Sequence, residues 1–329
     1  MLQRTLTHID NGVGWRLALH KLVNPARLRS DSRPVMLVPG FAMNTFILRH
    51  RPGGPSMAEY LAEAGREVWC VELRGQGDSE RVDGRGQFSI VDLGLDDLQT
   101  VMDAIGDRTA VDGRRIDAVG CSLGATFLFI QAAWNRGHRM GKLVNIGGPL
   151  RWTAVHPLLR LLSVAGPLWS AARVRGTRKI ARYGLPLALK VPRLLHLYLH
   201  PAICDLTEPA TLVQTVDDPI PAINREIAHW IRRGDLVYRT RNLTEDLEGL
   251  GLPLLTIVAN ADGIVPEATA CSAHNIIGGD ARRLVYAGSE QTPMAHADLF
   301  MSEYAEAAVF EPLLQFLESS LDTHPSAIE

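Results

Sequence analysis

RRIDAVGCSLGATFLFIQAAWNRG, residues 114–137, runs from a short apolar stretch into a longer one through a pentapeptide with glycine at both ends. RRIDAVG reads as a buried strand, and LGATFLFIQAAWNRG as an apolar helix leaving it. Between them GCSLG fits the spacing G-x-S-x-G, with Ser122 at its centre. The pentapeptide alone is a weak signal, but a strand-to-helix setting makes it the sharp turn that lifts one side chain clear of the backbone. Gly120 and Gly124 would let neighbouring backbone crowd in. The amides of the helix N-terminus would lie beside the central residue, ready to receive developing negative charge. Cys121 is the rival nucleophile. Only the residue two after Gly120 and two before Gly124 occupies the tip, so Ser122 takes it. Cys121 is then expected to face the interior, where a small thiol is comfortable.

Outward from this turn, strand and helix alternate. THIDNGVGWRLALHKL places Asp-Asn-Gly between two strands, an N-terminal hairpin. Val35–Val38 is a fully apolar run stopped by Pro39-Gly40, as in a buried parallel strand. A helix follows in PSMAEYLAEAG, then a strand in REVWCVEL and the glycine-rich loop RGQGDSE. IVDLGLDDLQTVMDAIG carries Leu95, Leu98, Val101, Met102 and Ile105 on one helical face. After KLVNIGG the alternation stops. Residues 151–250 read as helical and proline-interrupted, and strands resume at LPLLTIVANADGIVP and ARRLVYAG before a closing helix. This pattern predicts βαβ units on a mostly parallel sheet, a core of residues 1–150 and 251–329, and an inserted helical segment at 151–250.

Composition narrows the classes. The chain has 329 residues, 46% hydrophobic and 21% charged, with a formal charge of −2, which gives no reason to expect nucleic acid. No run of eighteen apolar residues is present, so no membrane span is expected, and MLQRTLTHIDNGVG lacks the pattern of a signal peptide. Cys70, Cys121, Cys204 and Cys271 have no CxxC spacing, which argues against zinc and against a disulfide framework, leaving a reduced cytoplasmic setting as the expectation. No metal or organic cofactor is called for.

A serine hydroxyl needs a base. Of eleven histidines, His8, His20 and His138 sit in surface-like contexts, four lie within 151–250, and His274 precedes the last strand. His296, in PMAHADLF, falls in the loop after that strand, from which its ring can swing over the strand ends. Its partner is expected to be Asp262, just past the penultimate strand in ANADGIVP, rather than Asp298 or Glu290. The chain order is then Ser122, Asp262, His296. The amides of Leu123 and of Phe41, in VPGFAMN, are the expected oxyanion donors.

With these residues in place the sequence resembles the α/β-hydrolase superfamily. PGFAMN, ELRGQGDS, GCSLG, ANADGIVP and AHADLF stand in that family's order across roughly residues 35–150 and 250–320. The resemblance implies an eight-stranded, mostly parallel sheet flanked by helices, with a cap inserted after the sixth strand. It also implies that Arg74, Gly75 and Asp78 brace the core without a catalytic role. Many relatives have histidine before the glycine where this chain has Pro39, which removes a bracing side chain but leaves the Phe41 amide. The style is closest to lipase and esterase-like members. Polyhydroxyalkanoate-synthase-like proteins carry cysteine at the tip and haloalkane dehalogenases carry aspartate, so Ser122 counts against both.

Residues 151–200 hold nine Lys or Arg and no Asp or Glu, interleaved with apolar helical stretches. Such a cap could meet lipid or an anionic acyl substrate, or could simply pack its apolar faces on the core with the arginines in water. The expected reaction is hydrolysis of esters with a hydrophobic acyl or alcohol part. An acyltransferase using the same acyl-enzyme and a non-catalytic lipid-binding protein on the same scaffold stay open.

Overall fold

Strand β1 (Gln3–Asp10) pairs antiparallel with β2 (Trp15–Val23), joined by the expected Asp-Asn-Gly turn. In this computed structural model, which describes residues 1–164, 175–188, 195–277 and 279–320, the other long strands are β3 (Val35–Val38), β4 (Val68–Glu72), β6 (Ile116–Cys121), β7 (Met140–Ile146), β10 (Leu254–Ala259) and β11 (Arg282–Ala287). They form one sheet in the order β1-β2-β4-β3-β6-β7-β10-β11, with a two-residue strand β5 (Glu80–Arg81) against β2. From β4 to β11 every neighbour is parallel, and β2 meets β4 antiparallel. The mostly parallel sheet of eight long strands is as expected. All residues of β3, β4, β6, β7 and β10 are buried, which is why these strands read as near-continuous apolar runs.

Helices cover both faces. On one, Leu98–Arg108 and Leu123–Asn135 bury Leu98, Val101, Met102, Ile105, Phe127 and Phe129. On the other, Met57–Glu63 and the closing helix Glu311–Glu318 bury Met57, Leu61, Leu313 and Phe316. The helix expected over IVDLGLDDLQTVMDAIG forms, but with a π-helical turn at Leu93–Asp97. Within that turn the Asp97 carboxylate is buried, accepting the Arg74 amide and pairing with the Arg74 guanidinium at 2.9 Å. Arg74 thus braces the core.

The chain leaves the sheet after β7, the sixth long strand, and returns at β10. In between lie helices Pro157–Val164, Thr177–Ala188, Pro209–Leu212, Pro221–Arg233 and Leu243–Asp246, with a small ladder of β8 (Val237–Tyr238) and β9 (Arg241–Asn242). The expected cap sequence at 165–174 and 189–194 falls outside the described residues.

Parallel register brings the carboxyl ends of five strands together. Val38 pairs with Gly120, Cys121 with Ile146, Ile146 with Ile257, and Ala259 with Ala287. The sheet order reverses between β3 and β6, the position at which open α/β sheets bind ligands beyond the carboxyl ends of their strands. Phe41, Ser122, Asp262 and His296 all follow those ends.

One expectation is corrected: His20 is buried, not a surface histidine. It lies on β2 opposite Cys70, and its Nε2 comes within 3.5 Å of Glu72 and 3.3 Å of Asp78, so the loop after β4 covers it. Glu72 is the hub beneath that loop. Burial alone would raise its pKa, but hydrogen bonds from His20, Thr45 and the Asp78 amide outweigh this and pull it down to about 2. A carboxylate with a folded pKa below its unfolded value adds stability above the unfolded pKa and loses it as pH falls through the folded one. From the ordinary 4.5 down to about 2, the wild type should lose about 3 kcal/mol from this group. Thermal unfolding across that pH range should therefore show a steeper decline for the wild type than for Glu72→Gln; parallel curves would refute the role.

Candidate active site

Ser122 stands between the last residue of β6 and the first residue of the helix Leu123–Asn135, at φ 52° and ψ −128°. A non-glycine residue is rarely found at positive φ, and this strain is that of a side chain thrust outward by a tight turn. A Cβ on Gly120 would come 2.2 Å from the Ala125 Cα, and one on Gly124 would come 2.2 Å from the Val38 carbonyl oxygen. Both obstacles are backbone, so neither glycine can be substituted without moving strand or helix. The Ser122 amide donates to the Ile146 carbonyl at 2.8 Å, and its own carbonyl accepts from Ala125 at 3.0 Å.

Cys121 points the other way. It is fully buried among Val119, Val144 and Ile146, and burial pushes its thiol pKa well above the ordinary value. It is therefore neither accessible nor ionised, as expected from its place one residue off the tip.

His296 and Asp262 meet. The His296 Nδ1 lies 2.6 Å from an Asp262 carboxylate oxygen, with the two side chains only 7% and 1% exposed. The other Asp262 oxygen accepts the amides of Ile264 and Val265, each at 2.8 Å, which fixes the carboxylate plane. With Nδ1 occupied as donor to Asp262, Nε2 is left as the basic nitrogen. The ring lies against Gly147, directly after β7; a Cβ there would sit 3.4 Å from the His296 Cε1. Serine and imidazole thus flank the same strand end. In this conformation they are not hydrogen-bonded, a contact that commonly tightens only when substrate arrives.

Leu123 is the first residue of its helix, so its amide has no partner within the helix. The Phe41 amide has no hydrogen-bond partner among the described residues. Gly40, just before it, packs on the nucleophile: a Cβ on Gly40 would come 3.0 Å from the Ser122 Cβ. Asp298, passed over as the acid, does not contact the imidazole. Its buried carboxylate instead accepts the amides of Ala295 and His200 and the Cys204 thiol, holding the histidine loop from behind.

How the 151–250 segment reaches these loops is not legible in the residues alone. Leu197 accepts the Gly263 amide at 3.1 Å, and Tyr198 accepts the Ala297 amide at 2.7 Å, so one stretch is stitched to the acid loop and the histidine loop. A second stretch bonds to the loop after β3, with the Asn44 amide donating to Thr215 at 2.9 Å and the Asp217 amide to Ala42 at 3.0 Å. These are backbone contacts and carry no residue-specific signature.

Among the described residues one group could offer a metal three ligands: His20, Glu72 and Asp78. The Glu72 oxygens already accept hydrogen bonds from Thr45 and Asp78, which suits a strut better than a metal site.

The family model for the α/β hydrolase fold matches residues 33–288. The chain belongs to the α/β hydrolase fold family. No curated protein matches this α/β hydrolase in sequence. Solved structures do match in fold. A hydrolase from Pseudomonas aeruginosa PA01 is 17% identical with a TM-score of 0.65, over 96% of this chain and 99% of that one. An esterase from Exiguobacterium antarcticum is 15% identical with a TM-score of 0.64, over 96% and 100%. The 2-hydroxy-6-oxo-6-phenylhexa-2,4-dienoate hydrolase of Rhodococcus sp. strain RHA1 is 16% identical with a TM-score of 0.66, over 97% and 100%. At such identities the likeness speaks for the fold.

Proposed function

We propose that this α/β hydrolase is a serine hydrolase of carboxylic esters with a hydrophobic acyl or alcohol part. The observation that carries the reading is the buried His296–Asp262 hydrogen bond at the strand end from which the strained Ser122 emerges. The Ser122 hydroxyl adds to the ester carbonyl while His296 Nε2 takes its proton. The resulting oxyanion sits on the amides of Phe41 and Leu123. Collapse breaks the ester C–O bond, the imidazolium protonates the departing alcohol, and the acyl group remains on Ser122. Water, deprotonated by His296, then adds to the acyl carbon and releases the acid and the serine. Asp262 keeps the ring in the tautomer this requires and stabilises the imidazolium. No metal or organic cofactor takes part in these steps.

Segment 151–250 serves as a cap over the site, and its stitches to three of the site's loops support that role. Its surface also favours contact with anionic lipid. On the helix Thr177–Ala188, Ile180 and Tyr183 are 60% and 73% exposed among the exposed Arg178, Lys179 and Arg182. Among the described residues no helix is long and apolar enough to cross a membrane. The four cysteines are all free and buried, which suits a reducing cytoplasm.

A panel of p-nitrophenyl esters of graded acyl length tests the reading, with product analysis in the presence and absence of added alcohols and amines. Hydrolysis favouring longer acyl chains is expected. Esters or amides of the acceptor as the main product would replace hydrolysis by acyl transfer.

A further inference from the structure

Gln76 lies in the loop RGQGDS and is buried. Its Oε1 accepts the Leu73 amide at 2.9 Å and its Nε2 donates to the Gly40 carbonyl at 2.8 Å. The two partners fix which end of the side-chain amide is which, since the opposite orientation would set donor against donor and acceptor against acceptor. The Gly40 carbonyl belongs to the same peptide unit as the Phe41 amide. That peptide is trans, so its carbonyl and its N–H point in opposite directions. A donor anchored on the carbonyl side therefore sets the direction of the N–H, and it also polarises the unit so that the N–H is a stronger donor. Two peptides along, the Ala42–Met43 unit is held as well, its Ala42 carbonyl accepting the Asp217 amide at 3.0 Å. Gln76 is tied to the same neighbour, because the Gly77 amide donates to the Asp217 carboxylate at 2.8 Å.

We infer that Gln76 is a positioning residue for the oxyanion hole, aligning and polarising the Gly40–Phe41 peptide through its Nε2 donor. The inference rests on the serine-hydrolase reading above. It assigns a task to one of the two hydrogen bonds of Gln76 and not to the other, so two variants separate it from a packing role. Gln76→Glu, assayed at pH 8, keeps the acceptor for Leu73 but sets a carboxylate oxygen against the Gly40 carbonyl. Gln76→His loses that acceptor but carries a ring Nε2 at about the same reach that can donate to Gly40.

Gln76→Glu should lower kcat on a p-nitrophenyl ester by about tenfold to hundredfold with KM little changed, the pattern of a lost oxyanion contact. It should also weaken binding of a trifluoromethyl ketone, which forms the tetrahedral oxyanion on serine, by a similar factor. Gln76→His should stay within about threefold of the wild type on both measures. Each variant is assayed on protein shown to be folded by its thermal unfolding. Wild-type kcat in the folded Gln76→Glu protein overturns the inference, as does an equal loss in both variants. If the wild type itself fails to form an acyl-enzyme at Ser122, the hydrolase reading falls and this inference with it. An active wild type beside an unimpaired Gln76→Glu protein removes the inference alone.

Discussion

Replacing Ser122 by alanine will lower the turnover of a p-nitrophenyl ester by on the order of a millionfold in kcat, while replacing Cys121 by alanine will leave most of it. The two side chains are adjacent in sequence and opposite in fate. Ser122 is pushed outward at φ 52°, beside the helix N-terminus, whereas Cys121 ends β6 inside the core with its thiol pKa raised by burial. Removing the hydroxyl leaves no atom that can accept the acyl group. The Cys121 thiol cannot substitute, because presenting it would require rotating the strand end by one residue and burying Ser122. Cys121→Ala removes only a small buried side chain, so its effect belongs to stability rather than chemistry. Steady-state kinetics on both variants, each checked for cooperative unfolding, reads the difference. Loss of turnover in Cys121→Ala with retention in Ser122→Ala would invert the assignment.

Asp262→Asn should cost about 10³- to 10⁴-fold in kcat although almost nothing in the structure changes. The asparagine carbonyl can go on accepting the amides of Ile264 and Val265, now received by one Asp262 oxygen at 2.8 Å. Its NH₂ group would then face His296 Nδ1, which today lies 2.6 Å from the carboxylate. A donor there turns Nδ1 into an acceptor and moves the ring proton to Nε2, the nitrogen that must take the serine proton. The base is disabled by its tautomer rather than by its position. His296→Ala should lose at least as much, since no neighbouring group can replace the ring. If Asp262→Asn kept most of its activity, Asp262 would be a loop-forming residue only, and the proton relay would have to be redrawn.

Much of this arrangement was legible in the sequence because burial on both faces leaves a simple mark. Val35–Val38 is apolar throughout and forms β3 with those bounds, and the change of period around GCSLG correctly places the turn between β6 and its helix. Once the strand ends were located, the loops carrying Phe41, Asp262 and His296 followed, since parallel strands in register deliver their loops to one edge. What could not be read was set by contacts between distant segments. Nothing local distinguishes Gln76 from a solvated loop glutamine, and its partner Gly40 lies thirty-six positions away. His20 looked exposed because its covering comes from the loop after β4 and not from its own strand. Asp298 resembled an alternative acid because proximity in sequence to His296 says nothing about which way a carboxylate faces. The π-helical turn at Leu93–Asp97 left no mark either, because the apolar spacing beyond it continues undisturbed.

The most direct measurement is covalent capture of the nucleophile. Folded protein treated with a fluorophosphonate and mapped by mass spectrometry should carry one adduct, on Ser122, formed equally well in Cys121→Ala and largely lost in Asp262→Asn. A folded protein that stays unmodified, or that carries the adduct on another residue, would contradict the account.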